Sequence, residues 1–438
     1  MKRKIALLLI VSMLALMLCG CRVNSVGTLA ADVIGDDITA ESFDFEAAAI
    51  KLSEASGKAV TVDMLKNIGY EKSSRLVNAV DSGEYSAMSW LQITGYSLLA
   101  NIDISSGEVL PENVRDFGFN GKDYFDVSFV GDVLYDPDYS PMVHASQVGG
   151  VLETIDKEVV DRLTQSDVTL INNEFSIGTR GTPLSGKTWT FQAEPESIQI
   201  HKLLGADIVS LANNHVYDYG KTGFVDTLDH LEAAGMPYVG AGRNLEEAKT
   251  AQYFIVNGIK IGVIAASRAE KVYFTPVATE DSPGIMGTYE SAEFLDAIKE
   301  ADAQCDILIA YVHWGTEKSV KLETAQKNMA REYIDAGVDA VVGGHTHCLQ
   351  GMEFYNGKPI IYSLGNFWFA SYTVDTTVLT LRINANMDVT TMVMPLVHKN
   401  CEVYYLSDYA ERRNFFNKLE NYEPQGVSIL DDGTVLPS

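Results

Sequence analysis

The sequence predicts an α/β fold in which helices cover a mixed sheet or two packed sheets, with a small helical segment ahead of it. Three observations carry that prediction. From Asp126 onward, short β-branched runs alternate with longer helix-like stretches. Further along, Asn257-Gly258 and Asn356-Gly357 each stand between two apolar runs, the pattern of a tight hairpin. Polar residues of metal-ligand type also stand where five of the predicted strands end. Alternation that gives way to hairpins implies strands of both directions, covered by helices.

Taken in order, Val127–Val130 is a predicted strand, Val151–Leu163 a helix, Val168–Ile171 a strand and Glu196–Leu204 a helix. Ile208–Leu211 is a strand, Gly223–Ala234 a helix, and Tyr238–Val239 starts the next strand. Tyr253–Val256 and Ile259–Ala265 form the first hairpin. Ala292–Ala301 is a helix, Ile307–Val312 a strand, Thr324–Ala336 a helix and Ala340–Val342 a strand. Met352–Tyr355 and Pro359–Ser363 form the second hairpin, and strands continue at Thr377–Ile383 and Thr391–Val397. Ser407–Leu419 reads as a closing helix, and 422–438 as a polar, loosely attached tail.

The N-terminal part has a different texture. Lys2, Arg3 and Lys4 precede an apolar run from Ile5 to Leu18, the pattern of a secretory signal and too short to span a bilayer comfortably. The run ends in Leu18-Cys19-Gly20-Cys21, which resembles a bacterial lipobox. Gly20 supplies the small residue before Cys21, so Cys21 is the candidate for lipidation. The expected location is the cell membrane, lipid-anchored on its extracellular side. Residues 22–45 are small, polar and acidic and suggest a tether. Residues 46–104 carry apolar residues at helical spacing, and 105–123 have linker composition. The main domain is expected over 124–400, and a C-terminal helix and tail over 401–438.

The chain has 438 residues, 46% of them hydrophobic, enough for a large core. Its formal net charge is −26, which excludes nucleic-acid binding through a general positive field. The same charge opposes an anionic polymer or bilayer unless cations intervene. Cys305, Cys348 and Cys401 are widely spaced and show no disulfide framework. Cys348 directly follows His347 and is expected to be a small packing residue there.

The stretch Val341-Val342-Gly343-Gly344-His345-Thr346-His347 is the densest in chemistry. A buried strand would carry the valines, a glycine turn would bend the chain, and the histidines would project from the loop. Alone, the pair also fits two solvated histidines. Other strand ends add to it: Gly131-Asp132, Asn172-Asn173-Glu174, Asn213-Asn214-His215 with Asp218, and His313-Trp314-Gly315. Each motif alone also fits a turn or a cap, since Asn and Asp bond their own backbone. Five loops that each offer a ligand after a strand are hard to explain by turn chemistry. Carboxylate, amide oxygen and imidazole suit Mn, Fe, Zn or Mg. A carboxylate can bridge two such cations about 3.5–4 Å apart, an arrangement that clamps a phosphoryl group.

The stretch from Phe191-Gln192-Ala193-Glu194-Pro195 through Gly205–Leu211, Ala212-Asn213-Asn214-His215 and Asp218-Tyr219-Gly220 resembles the bacterial capsule-synthesis CapA family. Gly240–Asn244, His313-Trp314-Gly315, Gly344-His345-Thr346-His347 and Ser363-Leu364-Gly365-Asn366-Phe367 extend the match, which runs from about Asp126 to about Pro395. That family is linked to poly-γ-glutamate capsule production and belongs to the calcineurin-like metallophosphoesterase superfamily. The resemblance implies a two-sheet αββα sandwich with two divalent metal ions at one edge. By position, Asp132 and His347 would serve the first metal, Glu174 would bridge, and Asn214, His313 and His345 would serve the second. His215 would donate a proton to the leaving oxygen, oriented by Asp218. Arg180 and Lys187, in the loop after Glu174, and Asn213 are candidates for meeting an anionic substrate, although the two cations fit solvated loop charges better. Leu134 stands where the superfamily usually has a histidine, as is common in the capsule family, so the first metal would have fewer protein ligands. Thr346 replaces a proline usual in the family.

Two functions follow as expectations. One is an extracellular metal-dependent phosphoesterase. The other is a capsule-assembly factor that uses the fold as a scaffold for an anionic polymer or for membrane-bound synthase subunits.

Overall fold

The structure, a computed structural model, describes residues 43–56, 60–62, 65, 66, 73, 77, 110–118, 120, 122–270, 274–369 and 371–438. The expected signal segment with Cys21, most of the tether and most of the expected helical segment lie outside the described residues. The chain divides into two units, Met1–Gly121 and Lys122–Ser438. In the first, a helix spans Phe45–Ser56, and the Asp44 carboxylate accepts from the Glu46 and Ala47 amides at its start. Ala48, Ala49 and Leu52 of that helix are buried with Val60 and Leu65. Val114–Gly118 is a strand, although its surroundings have linker composition. Among the described residues no helix is long and apolar enough to cross a membrane.

The second unit holds two major sheets flanked by helices. Five strands matter for the site: β1 (Tyr124–Val133), β2 (Val168–Asn173), β3 (Ile208–Ser210), β4 (Ile307–His313) and β5 (Ala340–Gly344). In the larger sheet the spatial order is Val427–Ile429, Thr434–Pro437, Val389–Lys399, Val374–Asn384, β1, β2, β3 and Tyr238–Val239. From β1 to Tyr238–Val239 the pairing is parallel, while Val374–Asn384 closes on β1 antiparallel. In the smaller sheet Ile259–Ser267, β4, β5 and Lys358–Ile361 pair in parallel. Parallel strands are buried on both faces, which is why β2, β3, β4 and β5 are closed to solvent along their whole length.

Helices supply the covering layers. Lys157–Gln165 buries Val159 and Leu163, and Gly220–Ala233 buries Phe224, Leu228 and Leu231. These side chains join a core with Ile171 and Val209 of the larger sheet. On the smaller sheet, Ala292–Asp302 turns Phe294, Ala297 and Ile298 inward, and Thr324–Ala336 turns Met329, Ala330 and Tyr333 inward. The latter helix starts with a reciprocal bond pair between Glu323 and Gln326.

Both hairpins form as their turns dictate. Asn257 and Gly258 take φ of 55° and 78°, and Asn356 and Gly357 take 51° and 78°, the positive pair that matches strand twist. Two expectations fail. The helix over Val151–Leu163 is broken into a 3₁₀ turn, Val151–Thr154, and a helix that begins at Lys157. Between them Ile155 is extended and bridges Val403, and the Asp156 amide donates to the Val403 carbonyl at 2.9 Å. Pairing with the strand Glu402–Tyr405 outweighs helical continuity there. The tail is not loose either: Val427–Ile429 and Thr434–Pro437 form a hairpin on the larger sheet, burying Val427, Ile429 and Val435.

Candidate metal centre

The parallel strands bring their C-terminal ends to one edge, as open α/β sheets do. β1 ends in Gly131-Asp132. A Cβ on Gly131 would lie 1.8 Å from the Gly365 carbonyl oxygen, so only glycine lets the two backbones approach. The Asp132 amide then donates to that carbonyl at 2.9 Å, and pairing with β2 shifts register at this point. The strand tip is thereby turned so that Asp132 is fully buried beside Glu174, which follows β2.

The glycine pair of β5 does not make the expected turn. Gly343 and Gly344 stay in the strand, and a Cβ on Gly344 would lie 2.6 Å from Tyr311 Oη and 3.0 Å from Asp132 Oδ1. The pair serves close approach. The bend falls on the histidines themselves, with φ of 86° at His345 and 54° at His347. Left-handed backbone at non-glycine residues costs on the order of 1–3 kcal/mol each and concentrates at functional sites.

Two groups of potential ligands result. Asp132, Glu174 and His347 form one; Glu174, His313 and His345 form the other, and within each group the ligand atoms lie within 4.8 Å of one another. Glu174 belongs to both. His313 Nε2 lies 3.4 Å from Glu174 Oε1 and 2.9 Å from Asn214 Oδ1. His347 Nδ1 lies 3.2 Å from Asp132 Oδ2 and 2.7 Å from Asn366 Oδ1. The oxygen donors Asp132, Glu174 and Asn214 lie at or just beyond the C-terminal ends of strands of the larger sheet, and the imidazoles at or just beyond those of the smaller one.

The electrostatics fit a cation. Burial pushes the Glu174 carboxyl well above its usual range, and the charge of Asp132 adds to this. Burial also pushes Asp132 up, but its bond to His347 and the charges of His347 and His313 outweigh it and hold the carboxyl low. Burial brings His313 down to about 3 and His345 well below its usual value. Burial would lower His347 too, yet the Asp132 carboxylate raises it. Asp132 Oδ2, Glu174 Oε1 and His345 Nδ1 are buried and make no hydrogen bond of good geometry among the described residues. Buried oxygens and imidazole nitrogens with lone pairs unmet are the donor set a divalent ion satisfies.

Beside the cluster, His215 Nδ1 lies 2.7 Å from Asp218 Oδ2. Asp218 is fully buried and accepts from the Phe191 amide at 2.8 Å. The His215 ring lies 4.6 Å from that of Phe191, centroid to centroid. Of the residues expected to meet substrate, Asn213 is fully committed elsewhere. Its Nδ2 donates to Asn172 Oδ1 and the Asn173 carbonyl, and its Oδ1 accepts from the amides of His215 and Val216. Arg180 pairs with Asp226 and Asp229 on the helix Gly220–Ala233 rather than with the cluster. Lys187 is not a solvated loop charge: its side chain is 4% exposed and lies against Asp218. Cys348 is in neither ligand group, and Leu134 is packed in the core.

Two residues to which the sequence assigns no role hold the candidate ligands. Asn172 Nδ2 donates to Asp132 Oδ1 at 2.8 Å and lies 3.4 Å from Glu174 Oε2. Asn366 faces His347. The signal for Asn172 was its place in a run of three polar residues at a strand end; Asn366 follows a Leu-Gly step with no ligand spacing to mark it.

Several named proteins are similar to part of the chain. "PGA biosynthesis protein CapA" of Bacillus subtilis (strain 168) is 36% identical over 179 residues, 41% of this chain and 46% of that one. "Capsule biosynthesis protein CapA" of Bacillus anthracis is 34% identical over 180 residues, 40% and 43% of the two chains. A "Probable polyglutamine synthesis accessory protein" of Mycobacterium tuberculosis is 32% identical over 213 residues, 46% and 56% of the two. The chain spans about half the length of these curated relatives. Residues 126–371, more than half of the chain and all of the candidate centre, match the family described as "Bacterial capsule synthesis protein PGA_cap", and the chain belongs to that family.

Proposed function

We propose that this protein is a metal-dependent phosphoesterase-type hydrolase that works in poly-γ-glutamate capsule biosynthesis, lipid-anchored through Cys21 on the outer side of the cell membrane. The observation that carries the chemistry is Glu174, a buried carboxylate common to two ligand groups. The capsule role is carried by the family and by the names of the relatives. Asp132, Glu174 and His347 would hold one divalent cation, and Glu174, His313 and His345 with the Asn214 amide a second. Mn, Fe, Zn or Mg suits these donors. Such a pair supplies Lewis acidity toward a phosphoryl oxygen and toward water.

The chain's own groups do the rest. Asp218 accepts only, so His215 presents its Nδ1–H to that carboxylate, which leaves Nε2 for proton transfer. As an imidazolium, His215 would hand its Nε2 proton to the leaving oxygen and keep its Nδ1–H on Asp218. Asn172 and Asn366 hold Asp132 and His347 in place, as partners behind metal ligands do. The substrate is a phosphoester or an anionic polymer, and the charge of −26 means that bridging cations must accompany a polymer. Membrane-bound capsule synthase subunits are the proposed partners.

The test is elemental analysis of the purified chain coupled to a phosphomonoester and phosphodiester screen, with His215→Ala alongside. Two metals per chain, turnover, and loss of turnover in the variant support the proposal. Bound metal with no turnover on any phosphoester would leave a scaffold in its place.

A further inference from the structure

Lys187 has a chemistry that the site's ligands do not absorb. It sits in the loop after Glu174, yet its side chain is almost closed to solvent. Its Nζ lies 2.9 Å from Asp218 Oδ1, an ion-pair contact off the line of a hydrogen bond. It also donates to the Asn214 backbone carbonyl and lies 3.2 Å from Glu270 Oε2. The Phe274 ring lies beneath it at 5.8 Å. Thr275 Oγ1 donates to the same Asn214 carbonyl at 2.8 Å. The Lys187 loop is tied to Asp218 by its backbone as well, since the Leu184 amide donates to the Asp218 carbonyl at 2.9 Å.

A buried ammonium with three acceptors is costly to place unless each contact is kept. These oxygens belong to two chain segments, and the two in the loop after β3 stand on either side of His215. Asn214 carries the amide that faces His313; Asp218 carries the carboxylate that faces His215 Nδ1. Lys187 lies on Oδ1 of the Asp218 carboxylate, while Oδ2 faces both His215 and the Phe191 amide.

We propose that Lys187 is a positioning residue, a single buried cation that sets the Asn214 amide and the His215 imidazole in one frame. This rests on the reading of Asn214 as a ligand and His215 as the proton donor. Lys187 itself touches neither metal donor atoms nor substrate. A cation that braced only the loop would leave both groups unmoved when removed.

The experiment uses the full-length chain with Lys187→Met, Lys187→Gln and Arg180→Met, the last removing a cation of the same loop that pairs elsewhere. Two readouts are taken: Mn²⁺ binding by titration, and the His215 Nδ1 proton resonance in metal-free protein, identified by its loss in His215→Gln. Both Lys187 variants are expected to weaken one Mn²⁺ equivalent about ten-fold, the low end for partners behind ligands. They are also expected to shift or lose the resonance. Arg180→Met is expected to change neither. Should Lys187→Met fail to fold, Lys187→Gln carries the same readouts. Wild-type metal binding and resonance in a folded Lys187 variant would overturn the inference, as would equal changes in Arg180→Met. If the unmodified chain binds no Mn²⁺, the metal-centre reading fails, and the resonance still decides the role of Lys187.

Discussion

Glu174 and His313 come from different sheets and stand 3.4 Å apart, Oε1 to Nε2, with both side chains closed to solvent. His313 is neutral at ordinary pH, so the contact is not an ion pair. Among the described residues Glu174 therefore has no cationic partner. We expect Glu174→Gln to lose both Mn²⁺ equivalents on dialysis, His345→Ala to lose one, and Asp132→Asn to lose the other. Metal content by mass spectrometry separates these outcomes. A Glu174→Gln protein that keeps two metals would sink the bridging role.

Metal binding should depend on pH with a definite sign. In the metal-free protein, burial first and Asp132 second raise the Glu174 carboxyl; His347 is raised because the Asp132 carboxylate outweighs burial. Both groups thus hold protons to higher pH than free side chains do, and a cation must displace them. Affinity should rise with pH, by about ten-fold per pH unit for each proton released. Titration calorimetry in two buffers of different ionisation enthalpy counts those protons. An affinity flat with pH would contradict the assignment.

Proton delivery is separable from metal binding. His215→Ala should lower kcat on a phosphoester by roughly 10²–10⁴-fold while metal content stays at the unmodified level. Asp218→Asn should act in the same direction, since an amide no longer favours the Nδ1–H form. If the loss appears in metal content instead, His215 is a ligand and its assigned role is wrong.

The approach of Gly131 to Gly365 gives a prediction about stability. The obstruction is backbone, which cannot swing aside. Gly131→Ala should cost about 3 kcal/mol, the upper part of the overpacking range, and weaken metal binding because Asp132 is displaced. Urea unfolding measures the first and Mn²⁺ titration the second. A loss below about 0.5 kcal/mol, the scatter of ordinary surface substitutions, would mean the two strands are less tightly joined than the structure has them.

Much of this was legible in the chain. The Asn-Gly turns fixed both hairpins because their φ requirement is local, and the helix Thr324–Ala336 falls on its predicted bounds. The six candidate ligand residues could be found because strand ends are marked in the sequence by polar residues after β-branched runs. What was not legible depends on distant partners. Val151–Leu163 has a helical pattern, which the pairing of Ile155 with the distant Val403 interrupts. Gly343 and Gly344 carry a turn signal, yet Tyr311, Asp132 and Tyr362 make them strand residues with no room for a Cβ. Lys187 reads as a loop charge until Asp218 is placed beside it.

The division of donors between the sheets bears on how the protein is made. Oxygen donors lie at 132, 174 and 214 and imidazoles at 313, 345 and 347, while Asn366–Trp368 and Val374–Asn384 return to pair with β1. A growing chain thus presents its acidic half long before the histidines that complete each triad exist. On the proposed metal reading neither half alone would hold a cation in the final geometry, so metal loading would wait until nearly the whole domain has been synthesised. Stray ions met by the nascent chain would then find no finished site to occupy.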